Sequence, residues 1–525
     1  MEILRYILLT ISVFNIYIEK THCFYCTPKN RNCWPNSETW QRLLGDRLDG
    51  KLHKFAPSIL EKCSDISSSD SLSKAADGAC MQIPDCSKRF CLANETSNLP
   101  SYSVEAKTTQ DVIYAIQFAN KFNIAITVKT TGHSFSGSSF GRDTLLIWMR
   151  NFQKFGQISN DFCDSCGKVH PASIKMGGGQ TWREIYGRLA GTDYNILGAL
   201  ANVISSSGGW LMGAGLSPMS PNHGLGIDNV LRFDVVLPNG CLVIADACKN
   251  TDLFWALRGG GGGTFGVVVS TQYKLLLKNP FVFLIFNIVP GTPIEVVDSF
   301  IDLWVMKSPH LDQRWGGYWN ATPGTFIFEG SMEDADKTFL NDLRKWKNSI
   351  KPKYHQNIII QVQDGLDGIS SASLALDGFW GFDSTAVSAL TKNSGSWFVS
   401  RKWVVNDEKR ARKFLKDIAR SGKLVLSYIL GGEVSRVGKY ETSVSPHIRD
   451  ALWEMQTFDD GILQFIRKTV PDSGSCYNHG SKTEPDWRRA FWGDNLERLE
   501  SLKRKYDPSN RLNCWHCIGY QGSEI

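Results

Sequence analysis

The residue best placed to do chemistry is His133. It sits in a loop of small residues, Lys129-Thr-Thr-Gly-His-Ser-Phe-Ser-Gly-Ser-Ser139, directly after the β-branched run Ile124–Val128. Ile, Thr and Val in succession read as a buried strand, and Gly132, Ser134 and Gly137 let the following backbone approach a ligand closely. Successive N–H groups in such a turn form a concave anion site, so the pattern predicts a phosphate-bearing cofactor. A surface-loop histidine bonded to backbone would leave the same local pattern, and this stretch alone does not separate the two readings.

Three later segments do. Gly208-Gly-Trp-Leu-Met-Gly-Ala-Gly215 is followed by Gly224-Leu-Gly-Ile-Asp-Asn-Val230, then by Asp252–Val267 with its five glycines at 259–263, and near the C-terminus by Phe491–Leu499 and Lys503–Arg511. In this order and spacing the chain resembles the berberine-bridge-enzyme-like flavoproteins of the vanillyl-alcohol-oxidase superfamily, which carry a PCMH-type FAD-binding domain, and within them the fungal-type FAD-linked oxidoreductases. The resemblance covers roughly residues 95–525. It implies FAD joined covalently to His133, with Gly132, Ser134, Gly137, Gly208, Gly209, Gly213, Gly215, Asn229, Gly263 and Gly266 around the cofactor. Many relatives add a second link through a cysteine eight residues before the end of the Gly-Gly-x block. Here that position is Asn202, and Asn202–Gly209 holds no cysteine, so the link is expected through His133 alone.

For the proton that accompanies hydride removal a positioned acid–base group is needed. Ser445–Gln456 resembles the family segment that lays catalytic side chains over the flavin. On a strand Glu454 and Gln456 point to the same face, so both are candidates, beside the alternative of a solvated strand face. Ser475-Cys-Tyr-Asn-His479 stands where relatives show Tyr-x-Asn and a polar residue. Anchored on Asn478, it places Cys476 at the usual tyrosine position, which makes Tyr477 and His479 further candidates. Ser205, Ser206 and Ser207 precede Gly208 where relatives gate dioxygen, and none is a branched apolar plug; together these features imply an oxidase that releases hydrogen peroxide.

The elements around these residues fit an α+β protein. At 525 residues, 42% hydrophobic and with 17 tryptophans, the chain has material for two domains. Val112, Ile113, Ile116, Ala119 and Phe122 share one face of a predicted helix over 109–122, and Val230–Leu237 with Cys241–Asp246 reads as a hairpin across Pro-Asn-Gly. From about 280, strands at Val282–Val289 and Phe326–Glu329 alternate with helices at Ile294–Met306 and Ala335–Lys347, which suggests an antiparallel sheet flanked by helices. The net charge of +6 is small, the clusters Lys402–Lys413 and Lys503–Lys505 read as solvated helix faces, and no basic aromatic face indicates nucleic acid.

Tyr6–Ile18 after Arg5 is long enough for a signal-peptide core and short for a membrane span, an uncleaved anchor being the alternative. Of 14 cysteines, seven lie between Cys23 and Cys91, as in a disulfide-stapled segment. The C-x-x-C pairs 23/26, 163/166 and 514/517 leave zinc as the less favoured alternative to disulfides. Asn94 and Asn320 fit the glycosylation pattern. The expected organisation is a signal peptide over 1–22, a Cys-rich segment over 23–95, an FAD-binding domain over 96–278, a substrate domain over 279–480 and a segment over 481–525 returning to the FAD domain. The expected protein is a secreted FAD-dependent oxidoreductase, outside the cell or in the secretory pathway, not held by membrane once its signal is removed, oxidising a small alcohol, sugar or amine with dioxygen as acceptor. A dehydrogenase using another acceptor and a non-catalytic secreted flavin-fold protein are the alternatives. The sequence does not identify the substrate.

Overall fold

The protein is described here by a computed structural model over residues 25–55, 100–134, 136–320, 323–366, 368–369 and 394–520. The expected signal peptide, the Asn94 acceptor and most of the Cys-rich segment lie outside these residues. Strands β1 (Lys51–Lys54), β2 (Tyr102–Glu105), β3 (Ile126–Lys129) and β4 (Leu145–Trp148) form a sheet in the order β1-β2-β4-β3, with β4 parallel to both β2 and β3. The crossover between β2 and β3 is helix α1 (Thr109–Phe122), with the predicted bounds. Thr108 and Asp111 close a capping box at its start, and Asn123 ends it in the left-handed conformation. Its face of Val112, Ile116 and Ala119 is buried with Val104, Ile126 and Ile147 in one core.

A second sheet runs β8-β7-β9-β6-β5, where β5 is Ile158–Ser159, β6 Ser173–Gly177, β7 Val230–Val236, β8 Leu242–Asp246 and β9 Val267–Lys274. The predicted hairpin is β7 and β8, in antiparallel register. The third sheet has seven antiparallel strands: β10 (Phe281–Ile288), β11 (Trp315–Trp319), β12 (Pro323–Glu329), β13 (Ile358–Leu366), β14 (Gly395–Ser400), β15 (Val425–Ile429) and β16 (Ala451–Thr457), ordered β13-β10-β12-β11-β15-β16-β14. Helices α2 (Ile294–Lys307) and α3 (Glu408–Arg420) bury their apolar stripes in the core of this sheet. Trp304 of α2 meets Trp319 at 5.1 Å between ring centroids, and Trp319 meets Trp453 at 6.0 Å. The helix predicted over 335–347 is present but carries a π-turn at Asp336–Leu340 between Met332–Ala335 and Asn341–Ser349.

The C-terminal segment, with helix α4 (Leu496–Tyr506), returns to the first sheet: the Ile126 N–H donates to the Arg511 carbonyl at 2.8 Å, and Leu512 bridges Ile126 in parallel. One charge expectation fails here. Lys402 and Lys413 lie on exposed helix faces, but Lys503 is buried at 3% exposure. Its ammonium has three acceptors, Asp507 at 2.8 Å and the carbonyls of Thr264 and Leu512 at 2.8 and 2.6 Å, which satisfy the donors that water would otherwise take. The cysteines form Cys26–Cys33, Cys166–Cys248 and Cys514–Cys517. Of the expected C-x-x-C pairs only the last is closed internally, and Cys163 and Cys241 are exposed thiols.

Arg449, on the turn His447–Asp450 that leads into β16, forms a bidentate ion pair with Asp228 of the turn Gly226–Asn229, both contacts at 2.8 Å. The guanidinium also donates to Thr442 Oγ1 and to the Val434 carbonyl. Removing one partner of such a buried pair strands the other charge, at a cost of about 3–5 kcal/mol. Asp228→Asn is therefore expected to lower stability by about that amount in urea unfolding; a loss below about 1 kcal/mol would show that the pair does not tie the two regions together.

Candidate active site

Between the second sheet and the C-terminal segment lies a cleft whose wall includes Gly132, His133, Ser134, Ser205, Ser207, Gly208, Gly209, Gly263, Gly266, Tyr477 and Asn478. The His133 loop follows β3, as the strand-then-glycine pattern predicts, and Gly132 turns the chain at φ +83°, a conformation that favours glycine. The His133 ring is half-buried, with Nδ1 3.0 Å from Thr131 Oγ1. Burial, and then the Lys129 ammonium, pull its pKa down to about 3, so the imidazole is neutral, and hence nucleophilic, at ordinary pH.

The opposite wall is made of backbone. An added Cβ on Gly262 would lie 2.9 Å from the Gly209 Cα, and one on Gly213 would overlap the Asn478 side chain. Asn478 Nδ2 donates to the Trp210 carbonyl at 2.8 Å, joining the two walls. The hydroxyls of Ser205 and Ser207, both buried, have no partner among the described residues. A cofactor rich in acceptors and amide groups would satisfy them, so the cleft fits a flavin dinucleotide. Of the residues assigned to the cofactor from sequence, Gly137, Gly213, Gly215 and Asn229 are not on this wall. Gly213 and Gly215 pack behind it against Asn478 and Gly226, and the Asn229 amide donates to the His223 and Leu225 carbonyls.

Tyr477 and Asn478 belong to a single 3₁₀ turn, Tyr477–His479, that carries the wall toward the seven-stranded sheet. Burial pushes the Tyr477 phenol up to about 12, and its hydroxyl lies 3.5 Å from Cys517 Sγ, where it donates to the disulfide sulfur. One residue further, His479 Nδ1 is 2.9 Å from Oε1 of Glu454, a fully buried carboxylate on β16. Glu454 Oε2 has no partner among the described residues. Cys476, 2% exposed, is the third member of this cluster, and burial, then the Glu454 charge, hold its thiol well above its usual pKa. Gln456 shares the strand face of Glu454, as alternation predicts, but its amide donates to Ser394 Oγ at 3.1 Å.

Sequence reasoning missed Tyr428 and Tyr318. Tyr428 on β15 pairs in register with Glu454, its ring stacks on His479 at 5.4 Å, and Tyr318 on β11 lies beside it at 5.8 Å. Burial and the adjacent Glu454 raise the Tyr428 phenol far above its ordinary value, so it stays protonated. No local motif marks it; the signal is only the alternation within Val425–Ile429.

The comparisons with known proteins agree with this geometry. The FAD binding domain family matches residues 100–246, and the berberine and berberine-like family matches residues 476–518. The FAD-linked oxidoreductase ffsJ of Aspergillus flavipes is 27% identical over 489 residues, covering 81% of this chain and 77% of that protein. The FAD-linked oxidoreductase apf9 of Gibberella fujikuroi is 26% identical, covering 94% of each. The VAO-type flavoprotein MtVAO713 from Myceliophthora thermophila C1 superposes with a TM-score of 0.76 at 22% identity, covering 94% of this chain and 97% of its own. The fold is thus that of the VAO-type flavoproteins. Residues 100–246 carry the FAD binding domain and residues 476–518 the berberine-like domain, and the chain's relatives include fungal FAD-linked oxidoreductases.

Gly213→Ala tests the coupling of the two walls. The methyl would displace Asn478, and overpacking of this kind costs roughly 1–3 kcal/mol. The expected result is a protein of reduced flavin content, read from the ratio of flavin to protein absorbance. Full flavin loading would mean that the Asn478–Trp210 contact is not needed to hold the cofactor.

Proposed function

We propose that this protein is a secreted oxidase that removes a hydride from a carbon bearing a hydroxyl or amine of a small organic substrate, with Glu454 and His479 taking the accompanying proton. The observation that carries this reading is the 2.9 Å contact between His479 and the buried Glu454 carboxylate, on the turn that continues the cleft wall. Bound FAD supplies the two-electron acceptor. The chain's own contribution is positional. Oε1 of Glu454 fixes the His479 ring, Tyr428 packs flat against that ring, and the fully buried carboxylate keeps water from competing for the proton.

A neutral His133 imidazole is suited to carry the cofactor covalently at its 8α position. A single link is favoured because Asn202, at the counted cysteine position, is buried and accepts from Arg183 Nε at 3.1 Å. Glucooligosaccharide oxidase from Acremonium strictum, a structural neighbour, carries a 6-S-cysteinyl, 8α-N1-histidyl FAD. Small hydroxyls at Ser205 and Ser207 on the wall leave room for dioxygen. Structural neighbours include a carbohydrate oxidase from Microdochium nivale, which favours sugars among the candidate substrates. Three disulfides among the described residues support an oxidising compartment. No helix among the described residues is long and apolar enough to cross a membrane.

Two measurements test this reading. After acid precipitation and tryptic digestion, the peptide containing His133 is expected to carry the FAD mass and no cysteine peptide is; release of all flavin on denaturation would reject the covalent link. Aerobic screening across sugar, alcohol and amine panels is expected to yield peroxide with one class. With that substrate Glu454→Gln is expected to lower kcat by about 10²–10⁴ at unchanged flavin content. Turnover only with an added dye acceptor would make the enzyme a dehydrogenase, and an unchanged Glu454→Gln rate would remove the pair from the mechanism.

A further inference from the structure

The Glu454–His479 pair has a third neighbour that proton transfer does not use. Cys476 caps the 3₁₀ turn whose last residue is His479. In such a turn residues three apart lie one above the other, and the His479 N–H donates to the Cys476 carbonyl at 3.1 Å, which closes it. Cys476 N–H donates to Ser396 Oγ at 3.2 Å, and Ser396 and Ser475 hydroxyls meet at 3.0 Å, so the turn is pinned to β14. Glu454 approaches from β16, between β14 and β15. One donor atom from each of Glu454, Cys476 and His479 lies within 4.8 Å of the other two.

We propose that these three side chains form a site for a single thiophilic divalent cation of the Zn²⁺ class. Carboxylate oxygen, thiolate sulfur and imidazole nitrogen are the donors such ions take, with bonds of roughly 2.0–2.3 Å, whereas Mg²⁺ and Ca²⁺ select oxygen alone. Tetrahedral bonds of that length place donors about 3–4 Å apart, within reach of the spacing present, which runs from the 2.9 Å His479–Glu454 contact to at most 4.8 Å. Charge also balances: a carboxylate and a thiolate neutralise the two positive charges, and the imidazole stays neutral. The unpartnered, fully buried Glu454 Oε2 is the second, independent sign, because a desolvated carboxylate oxygen with no donor is costly unless something arrives to meet it. His479 provides access, with 15% of its side chain exposed.

On binding, an S–metal bond replaces the Cys476 S–H bond and the proton leaves to solvent; no electron is transferred. The cation occupies Glu454 and one nitrogen of His479, so it acts as a reversible inhibitor of any reaction that needs them. The site goes beyond the proposed oxidase chemistry and can be read without it.

The test uses the full-length, tag-free flavoprotein dialysed against a chelator. Zn²⁺ is titrated by calorimetry and bound metal is counted. Co²⁺ is added in parallel, because a cobalt–thiolate bond gives a near-ultraviolet charge-transfer band. One equivalent of tightly bound metal and the band are expected in the wild type. Both are expected to disappear in Cys476→Ser and Cys476→Ala, and affinity to fall at least tenfold in Glu454→Gln, with flavin absorbance checking that each variant is folded. The band is expected to persist when the exposed thiols are removed together by Cys163→Ser and Cys241→Ser. Loss of the band in that double variant, its survival in folded Cys476→Ser, or the lack of stoichiometric binding in the wild type would each overturn the site. A peroxide assay that fails for want of a substrate leaves these readouts intact, so failure of the metal site and failure of the oxidase reading are distinguishable.

Discussion

Arg449 and Asp228 set where the face of β16 that carries Glu454 stands relative to the cleft. Asp228 belongs to the turn that feeds β7, and Arg449 to the turn that feeds β16, five residues before Glu454. A bidentate guanidinium–carboxylate contact has a fixed plane and a fixed reach. It therefore sets the phase at which β16 enters the sheet. A slip by one residue would replace Glu454 with Trp453 or Met455 on the face of Tyr428 and Phe398, because strand side chains alternate. The pair lies in the interior, where its Coulomb attraction is large but so is the desolvation opposing it. Thr442 and the Val434 carbonyl take further guanidinium hydrogens and the Leu225 N–H donates to Asp228, which offsets part of that cost, while Arg449 Nε has no partner among the described residues.

The two faces of the seven-stranded sheet differ in character, one filled by large apolar rings and the other by polar groups. Trp304, Trp319 and Trp453 fill the helix side, where burial of large rings supplies stabilisation of roughly 25 cal/mol per Å² removed from water. The other side carries Tyr318, Tyr428, Glu454 and the His479 ring, a set of polar groups that an apolar filling would outperform for stability alone. Such a layout is stable because the strands are fixed from behind before the polar groups are brought together.

How much of this was legible in the sequence depended on how local the cause was. Helix α1 has its predicted bounds because cap, apolar stripe and terminating Asn123 all lie within sixteen residues. The β7–β8 hairpin is set by its own turn. His133 stands on the cleft because a strand followed by small residues is a local pattern. Lys503 was misread because its three acceptors come from Thr264, Asp507 and Leu512, two of them carbonyls that no side-chain pattern reveals. Alternation placed Glu454 and Gln456 on one face and could not rank them. The partners that distinguish them, His479 and Ser394, arrive from elements 25 and 62 residues away. Asn229 was expected beside the cofactor, and its Nδ2 hydrogens go to the His223 and Leu225 carbonyls of its own loop.

The cysteines illustrate the same limit from the other direction. Spacing alone made C-x-x-C the unit, but Cys166 closes on Cys248, 82 residues away, while Cys476, in no such motif, is the thiol that meets charged partners. A buried thiol among apolar side chains is inert packing. Beside a carboxylate and an imidazole, in a turn pinned by Ser396, it becomes part of the electrostatics of the site, because in a desolvated environment each neighbour's charge state is felt by the others. Local consistency between sequence and fold breaks down at Glu454 and Cys476, in a polar cluster inside an otherwise apolar core. Departures of that kind are expected where a protein meets something other than itself.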